Sequence, residues 1–592
     1  MNAIYLVIIA ALWLIFAYRI YGSFIAAKVL TLSGNRLTPA VAHNDGRDYV
    51  PTNKWIVFGH HFAAIAGAGP LVGPVLAAQF GFLPGTLWIL IGAVVAGAVH
   101  DMVILFASVR HDGLSVGQIA KKEIGNVSGV CASIAVLFLL VLTMAGMAVV
   151  VANALFNSPW GTFTVAITIP IAIFIGIYLR WLRPGKIREA SIIGVILILA
   201  GVFGGSWVQH SALATFFTFN LTQLSIMLAI YGFFAAALPV WLLLAPRDYL
   251  STYMKIGTIA ALTIGIIFVR PDIQMPALSQ YIGGGGPIIG GPVWPYVFIT
   301  VACGALSGFH SLISTGTTPK MLTNEKDVLP IGFGAMLVES FVALMALIAA
   351  TSLDPGDYFA INVSPAVFAK LGFQVNELPA LAQLVGENIA GRPGGAVSLA
   401  VGMAHIFSNI PGMKSLMSFW YHFCIMFEAL FILTIIDAGT RVGRYLLQEV
   451  GGVVYKPLKD TQWWPGIILT SALISGAWGY LVLQGSISTI WPLFGVSNQL
   501  LGTLTLAVGT TMLFRMEKAR YVWITICPMI FMALTTFAAG YQNIANIYLP
   551  AKNYLLSAIT AIMMVLVIVV IIDSIRRWVE LSRAASSNRI EC

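Results

Sequence analysis

The chain has 592 residues, of which 59% are hydrophobic and only 9% are charged. A solvated globular surface usually carries roughly a quarter charged residues, so this composition excludes an ordinary soluble domain and predicts an all-α polytopic membrane protein. The formal charge of +9 is accounted for by basic loops between apolar segments, so no nucleic acid partner is expected.

Fifteen apolar runs are predicted to be membrane-spanning helices, because about 20 apolar residues cross the hydrocarbon core. They lie near 3–21, 56–80, 86–108, 129–156, 163–179, 189–207, 224–246, 256–270, 294–316, 332–351, 417–437, 465–483, 489–513, 521–540 and 554–574. The runs near 56, 256 and 294 are the weakest, since each is short or broken by glycine. The first run has no basic region before it and is predicted to remain as a helix, not to be removed as a signal peptide.

Lysine and arginine occur in alternate gaps between the runs. Gaps 81–85, 157–162 and 208–223 contain neither residue, whereas the gaps after the first, third and fifth runs are basic. Short cytoplasmic loops are enriched in Lys and Arg, so the N-terminus is predicted outside and the C-terminus in the cytoplasm. A crossing at 396–410 would invert every later loop, so this run is predicted to be re-entrant or to lie on the surface after the long outer loop 352–395.

Glycine and proline interrupt several runs at mid-membrane depth. In the second run they are Gly67, Gly69, Pro70, Gly73 and Pro74. Unwound backbone inside a membrane is costly unless it lines a protein cavity, so the backbone from 67 to 73 is predicted to be non-helical and to line a central cavity. The alternative is close helix packing through small residues. Further breaks are predicted in the seventh run, at Pro239 and Pro246, and in the ninth, at Gly304, Gly308 and Gly316.

The breaks in the second and seventh runs are five helices apart, and their helices run in opposite directions. This spacing predicts an inverted pair of discontinuous helices, as in transporters built from inverted repeats. The predicted core therefore covers 56–440 in two five-helix repeats, 56–207 and 224–437. An N-terminal helix and cytoplasmic loop, 1–55, precede it, and about four accessory helices with a short tail, 441–592, follow it.

Three long stretches carry a family resemblance: HNDGRDYVPTNKWIVFGHHFAAIAGAGPLVGPVLAAQFGFLPGTLWIL, APRDYLSTYMKIGT and SGFHSLISTGTTPKML. They resemble the carbon-starvation protein A family of bacterial transporters. The resemblance implies the LeuT-like fold of the amino acid-polyamine-organocation superfamily and a location in the bacterial inner (plasma) membrane. It also implies proton-coupled uptake of peptides or of small carboxylates such as pyruvate when carbon is scarce.

Ionisable side chains inside the spans are candidates for ion coupling, because each is expensive to insert. The predicted proton-coupling residues are His60, His61, His100 and Asp101, together with His310. The hydroxyls of Ser311, Ser314 and Thr315, with carbonyls freed near the break at 66–69, could instead form a sodium site. The alternative for each is structural: a histidine satisfied in the core, or a hydroxyl capping a backbone carbonyl.

The substrate is predicted to carry a carboxylate. Since no Lys or Arg lies deep inside any predicted core span, backbone amides of the second and seventh runs are the expected donors. The predicted substrate-binding residues are Ala68, Gly69, Pro70, Gly73, Leu238, Pro239 and His310. No metal and no cofactor is predicted.

Two other classes of function are less favoured. An intramembrane hydrolase could use His310 with Ser311 or a histidine-bound metal, but the sequence has no HExxH motif, no GxSxG motif with a plausible order of partner residues and no nucleotide-binding loop. A nutrient sensor is also disfavoured, because the tail after 575 is short and holds no signalling domain.

Overall fold

The computed structural model describes residues 1–45, 49–183, 186–239, 244–460 and 462–590. These parts are helical and carry only two isolated β-bridges, Asn2 with Asp272 and Thr52 with Leu322. The helices of the membrane layer, numbered in chain order, are α1 Ala3–Val29, α2 Lys54–Ile65, α3 Gly69–Ala77, α4 Phe82–Arg110, α5 Asn126–Leu155, α6 Pro159–Leu182, α7 Ile187–Gln209, α8 Leu221–Ala237, α9 Leu244–Val269, α10 Val293–Thr300, α11 Ala302–Ala305, α12 Phe309–Gly316, α13 Glu325–Thr351, α14 Ala396–Ser408, α15 Met417–Val454, α16 Trp464–Gln484, α17 Ile487–Arg515, α18 Trp523–Tyr548 and α19 Tyr554–Ile590.

Ten helices of the described residues are long and apolar enough to cross a membrane, and the bent pair α2 and α3 makes an eleventh if it is one span. The protein is therefore a multi-pass membrane protein. The prediction of fifteen plain spans is corrected at the other runs: α8 has 17 residues, the apolar part of α9 covers Met254–Val269, and the ninth run is divided into α10, α11 and α12. The thirteenth predicted run forms α17, which is long enough to cross a membrane but is not among the ten apolar helices. It carries a row of buried polar side chains: Ser497, Asn498, Gln499, Thr503 and Thr505.

The loops gather at two ends of the bundle. At one end, which we call the basic end, Arg110 forms two hydrogen bonds of 2.8 and 2.9 Å with buried Glu325, and Arg36 approaches the same carboxylate. At the opposite end, Ser158 donates to Glu387 at 2.6 Å, and Gln209 donates to the carbonyl of Gly386 at 2.8 Å. The loops after the first, third and ninth predicted runs therefore meet at one end, and those after the fourth, sixth and tenth meet at the other.

Helix α14 lies at the opposite end. Its 13 residues rise about 20 Å, which is short of the roughly 30 Å hydrocarbon core. Gly395, just before α14, faces Val75 and Leu76 near the end of α3, and Ser418, after the following turn, donates to the carbonyl of Val385. Both contacts lie at that end of the bundle, and α14 is almost entirely buried, so it is not the surface-lying helix that was one of the two predictions; that it is re-entrant stays a prediction.

Two broken helices meet in the core. Helix α3 packs against α11, and α2 packs against α12, so the break after α2 lies beside the break between α11 and α12. Each broken helix is followed by a long buried one, α4 or α13, and α13 also packs on α3. The partner of the second run at the break is therefore the ninth run, not the seventh as predicted.

Candidate functional site

The first break is shorter than predicted. Helix α2 ends at Ile65 and α3 begins at Gly69, with a bend of 44° between them. Ala66, with φ −73° and ψ 75°, leaves the helical region, but Gly69 to Ala77 is helical and includes Gly73 and Pro74. The prediction of non-helical backbone from 67 to 73 is therefore wrong beyond Ala68, because Pro70 occupies the first turn of α3, where a missing N–H costs nothing.

Glycine is required at the break by close packing. A Cβ on Gly67 would overlap Cδ1 of Ile435, and a Cβ on Gly69 would lie 2.6 Å from Sγ of Cys303. Gly73 has the same role one turn later, because its Cβ would meet the carbonyl of Thr300. The small residues thus bring two broken helices together, and the packing alternative holds at these positions.

Leu238 and Pro239 do not join this site. The carbonyl of Leu238 accepts a hydrogen bond from Nη2 of Arg441 on α15, whereas Gly67 faces Ile435 of the same helix. Six residues of helix separate these two contacts, which is about 9 Å of rise. Residues 240–243, where the rest of the predicted break falls, and the side chain of Pro246 lie outside the described part of the structure.

Four buried residues form what we call the acid–histidine cluster: His100, Asp101, His310 and Glu339. Asp101 lies 2.7 Å from Nδ1 of His100 and 2.8 Å from Nδ1 of His310. On the far side of the His310 ring, Nε2 lies 3.2 Å from a carboxylate oxygen of Glu339. All four side chains are buried, and the His310 ring lies between the carboxylates of Asp101 and Glu339.

Helix α17 holds the second break and the cluster in place. The Asn498 side chain accepts from the backbone N–H of Phe309 at 2.9 Å and also pairs with Ser307. Nε2 of His100 lies 2.5 Å from the hydroxyl of Thr505, on the same helix. The polar row of α17 therefore satisfies groups freed where α11 and α12 separate.

The predicted hydroxyl site is arranged differently. Ser311 donates to the carbonyl of Gly308 at 2.6 Å, and Thr315 donates to the carbonyl of Ser311 at 2.7 Å. These hydroxyls cap backbone groups, which was the structural alternative to a sodium site. Ser314 has a buried hydroxyl without a hydrogen-bond partner.

The adjacent histidines of α2 reach the turn after α12. His60 Nε2 lies 3.2 Å from the hydroxyl of Thr317, and His61 Nδ1 lies 2.8 Å from that of Thr318. His60 is exposed, whereas His61 is fully buried. The pair therefore connects the half-helices α2 and α12 at the basic end of the break.

A buried lysine lies one turn from the break. Lys255 of α9 is 1% exposed, and its ammonium donates to the carbonyl of Ala63 at 3.0 Å and to the hydroxyl of Thr434 at 3.2 Å. Arg247 is equally buried and pairs with Asp437 at 3.7 Å. Both residues fall between the predicted runs 224–246 and 256–270 but are buried in α9, so the inference that only backbone amides can bind an anion in the core is wrong.

Lys255 borders a cavity of about 70 Å³, which we call the lysine cavity. Its walls come from α2, α9, α12 and α15, and include His60, Ala63, Ser251, Lys255, Phe309, Ile313 and Thr434. That volume has room for roughly five waters. The ammonium also faces the C-terminal carbonyls of α2, where the helix dipole favours a cation.

Sequence analysis assigned no role to Lys255 or Glu339. For Lys255, the length of the predicted run indicated that the residue belongs to a membrane helix. The predicted run 256–270 is shorter than a membrane crossing, so the helix had to begin earlier and include Lys255. Glu339 was recognisable as an ionisable residue in a span, but its contact with His310 depends on how α13 packs on the broken helix.

Comparison with known proteins identifies the family of this chain. Residues 2–539 match the family model described as carbon starvation protein CstA. The peptide transporter CstA of Bacillus subtilis is 52% identical over 586 residues, covering 98% of both chains. The pyruvate/proton symporter BtsT of Escherichia coli is 46% identical, covering 90% of this chain and 82% of that one. The peptide transporter CstA of E. coli is 50% identical, covering 92% and 81%.

The apolar helices make this chain a multi-pass membrane protein, and its relatives are named transporters. The chain belongs to the carbon starvation protein CstA family, as the sequence motifs predicted. Among solved structures, a manganese transporter of Eremococcus coleocola aligns with 93% of this chain and 100% of its own, at 11% identity and a TM-score of 0.42.

Proposed function

We propose that this chain is a secondary transporter that imports peptides or small carboxylates such as pyruvate together with protons. The observation that carries the proposal is the lysine cavity, in which a buried ammonium lies beside the break of α2 and α3. An ammonium in a partly closed cavity is a strong partner for a carboxylate, which is the group shared by pyruvate and the end of a peptide. The names of the relatives, peptide transporter and pyruvate/proton symporter, support the same two substrates.

The size of the cavity favours a three-carbon acid in the conformation described. A space for roughly five waters accommodates a small carboxylate, whereas a dipeptide needs the half-helices to separate further. Lys255 replaces the predicted backbone donors near Ala68 and Gly69 as the main anion-binding group. Those amides remain at the N-terminus of α3, where the helix dipole attracts negative charge.

Coupling to protons follows from the shared helix α12. Phe309 and Ile313 line the lysine cavity, while His310, between them, reaches into the acid–histidine cluster. A change in the charge of the cluster therefore acts on the same half-helix that borders the substrate. The two carboxylates on either side of the imidazole supply groups that gain and lose a proton during transport.

The alternatives have less support. A hydrolase would need Ser311 aimed at His310, but the hydroxyl donates to Gly308 and the imidazole nitrogens face Asp101 and Glu339. A hydroxyl that donates to a carbonyl keeps its lone pairs, so the hydrogen bonds of Ser311 and Thr315 do not decide between sodium and the proton. The proton is the coupling ion that we propose, because one relative is named a pyruvate/proton symporter.

The proposal includes an inverted-repeat core of the LeuT-like type in a bacterial inner membrane, with the basic end in the cytoplasm. Two features support an inverted relation between α2–α3 and α10–α12: each broken helix is followed by a long buried helix, and the two run in opposite directions if the basic loops alternate sides. Because they belong to the second and ninth runs, they do not support the predicted five-helix repeats 56–207 and 224–437. Positively charged loops at one end support the orientation.

The test is uptake into proteoliposomes. Purified protein should accumulate labelled pyruvate or alanyl-alanine when the interior is alkaline, without sodium, and lose this accumulation when an ionophore collapses the pH gradient. Accumulation that requires sodium and ignores the pH gradient would contradict proton coupling. Equal competition by amines, neutral sugars and carboxylates would contradict the assignment of the substrate class.

A further inference from the structure

We propose that Cys303, His310 and Glu339 form a binding site for a borderline-soft divalent metal ion of the zinc type. Sγ of Cys303, a ring nitrogen of His310 and a carboxylate oxygen of Glu339 all lie within 4.8 Å of one another. Within the parts of the chain that the structure describes, this is the one group of three such side chains. All three are buried.

The spacing of the ligand atoms fits a tetrahedral ion. With Zn–N near 2.05 Å, Zn–S near 2.3 Å and Zn–O near 2.1 Å, tetrahedral angles place N and S about 3.6 Å apart and N and O about 3.4 Å apart. In the structure, Nε2 of His310 lies 3.9 Å from Sγ of Cys303 and 3.2 Å from Oε2 of Glu339. Both distances from the ring nitrogen are within a few tenths of an ångström of these values, and the sulfur and the carboxylate oxygen lie within 4.8 Å of each other.

His310 has the surroundings of a metal-binding histidine. Its Nδ1 lies 2.8 Å from Asp101, and an ionised carboxylate only accepts hydrogen bonds, so Nδ1 carries the proton. In the neutral ring, Nε2 then directs its lone pair toward Cys303 and Glu339. Carboxylate–histidine–metal arrangements of this kind set the tautomer and make the imidazole a better ligand. His100 holds Asp101 from its other side at 2.7 Å.

The carboxylate of Glu339 is paired with the His310 ring at 3.2 Å but is otherwise unsatisfied. Neither of its carboxylate oxygens has a hydrogen bond, although both are buried. A bound cation satisfies them, and a thiolate with an imidazole selects a zinc-like ion over magnesium or calcium, which prefer oxygen ligands. Three protein ligands leave a fourth position for an exchangeable ligand.

Protons and the metal ion compete for the same atoms, because the thiol, imidazole and carboxylate must all be deprotonated to bind a metal. Affinity for the metal should therefore fall as pH is lowered. Metal binding is measured on purified protein without transport, so its failure would leave the proposed transport untouched.

The experiment uses the full chain, purified in detergent with a histidine-free tag, and titrated with Co²⁺ as a spectroscopic substitute for Zn²⁺. We expect about one Co²⁺ per chain with a thiolate-to-cobalt charge-transfer band, displaced by Zn²⁺. The band should vanish in Cys303→Ser and persist in Cys424→Ser, a matched change at another buried cysteine. A band that survives Cys303→Ser, or none in the wild-type protein, would overturn the proposal.

Two further variants separate ligand loss from misfolding. Glu339→Gln should lower the zinc stoichiometry measured by elemental analysis while the metal-free protein unfolds as cooperatively as the wild type. Asp101→Asn keeps all three ligands but removes the carboxylate charge behind His310, so the metal Kd should rise by about 10- to 100-fold. An unchanged Kd in Asp101→Asn and full stoichiometry in Glu339→Gln would show that the ion binds elsewhere.

Discussion

Replacement of Lys255 tests whether the buried ammonium binds the substrate carboxylate. Methionine has nearly the same length and fills the same space, so Lys255→Met removes the charge and its hydrogen bonds to Ala63 and Thr434. Substituting an apolar residue for a buried charge often leaves stability nearly unchanged, and the freed carbonyl of Ala63 costs about 1–3 kcal/mol at most. The variant is therefore expected to fold.

Substrate binding should weaken much more than stability. A carboxylate left without its cation in a buried site loses about 2–3 kcal/mol, which corresponds to a rise in Kd of about 30- to 150-fold. The assay is equilibrium binding of labelled pyruvate to the purified protein, with pyruvamide, its neutral amide, as a second ligand. Lys255→Met should lower the affinity for pyruvate and leave that for pyruvamide nearly unchanged.

Lys54→Met is the matched control. Lys54 is exposed at the start of α2, where its ammonium lies over the ring of Trp55, so its loss should not change the pyruvate Kd. If Lys255→Met binds pyruvate as tightly as the wild type, the ammonium does not hold the carboxylate. If both lysine variants weaken binding equally, the effect is general to net charge and the lysine cavity is not the site.

Three other changes test the break, the cluster and the basic end. Gly69→Ala should cost about 1–3 kcal/mol by overpacking and lower uptake, whereas Gly59→Ala, with no atom near its added Cβ, should be tolerated; equal unfolding temperatures would contradict this. Glu339→Gln should retain substrate exchange but lose its stimulation by a pH gradient, and a wild-type response would exclude Glu339 as a proton carrier. The hydrogen bond to Glu123 raises the pKa of His111 above 6.5, so its stabilisation is present below about pH 6.5 and is lost as pH rises through the folded-state pKa. His111→Gln should flatten that part of the stability-versus-pH curve, and an unchanged slope would exclude His111.

The acid–histidine cluster was predictable from the sequence only in part. His100, Asp101 and His310 could be selected from the sequence because ionisable residues in apolar runs are rare and costly. Their contacts could not be predicted from the sequence, because the second carboxylate near His310 belongs to Glu339 on α13 and the nearby thiol belongs to Cys303 on α11. Both distances depend on where three helices cross, and hydropathy does not specify a crossing.

The sequence by itself determined the membrane environment, the positions of the apolar runs, the alternation of basic loops, the existence of breaks and the family. Each of these follows from properties of neighbouring residues along the chain: apolarity, charge, and the backbone preferences of glycine and proline. Only the tertiary structure decided that the second run pairs with the ninth, that Leu238 belongs to another region, and that Lys255 is buried beside the break. The physical reason is that a lysine near a helix end can reach water or point into a cavity, and only the packing of helices around it selects one of the two.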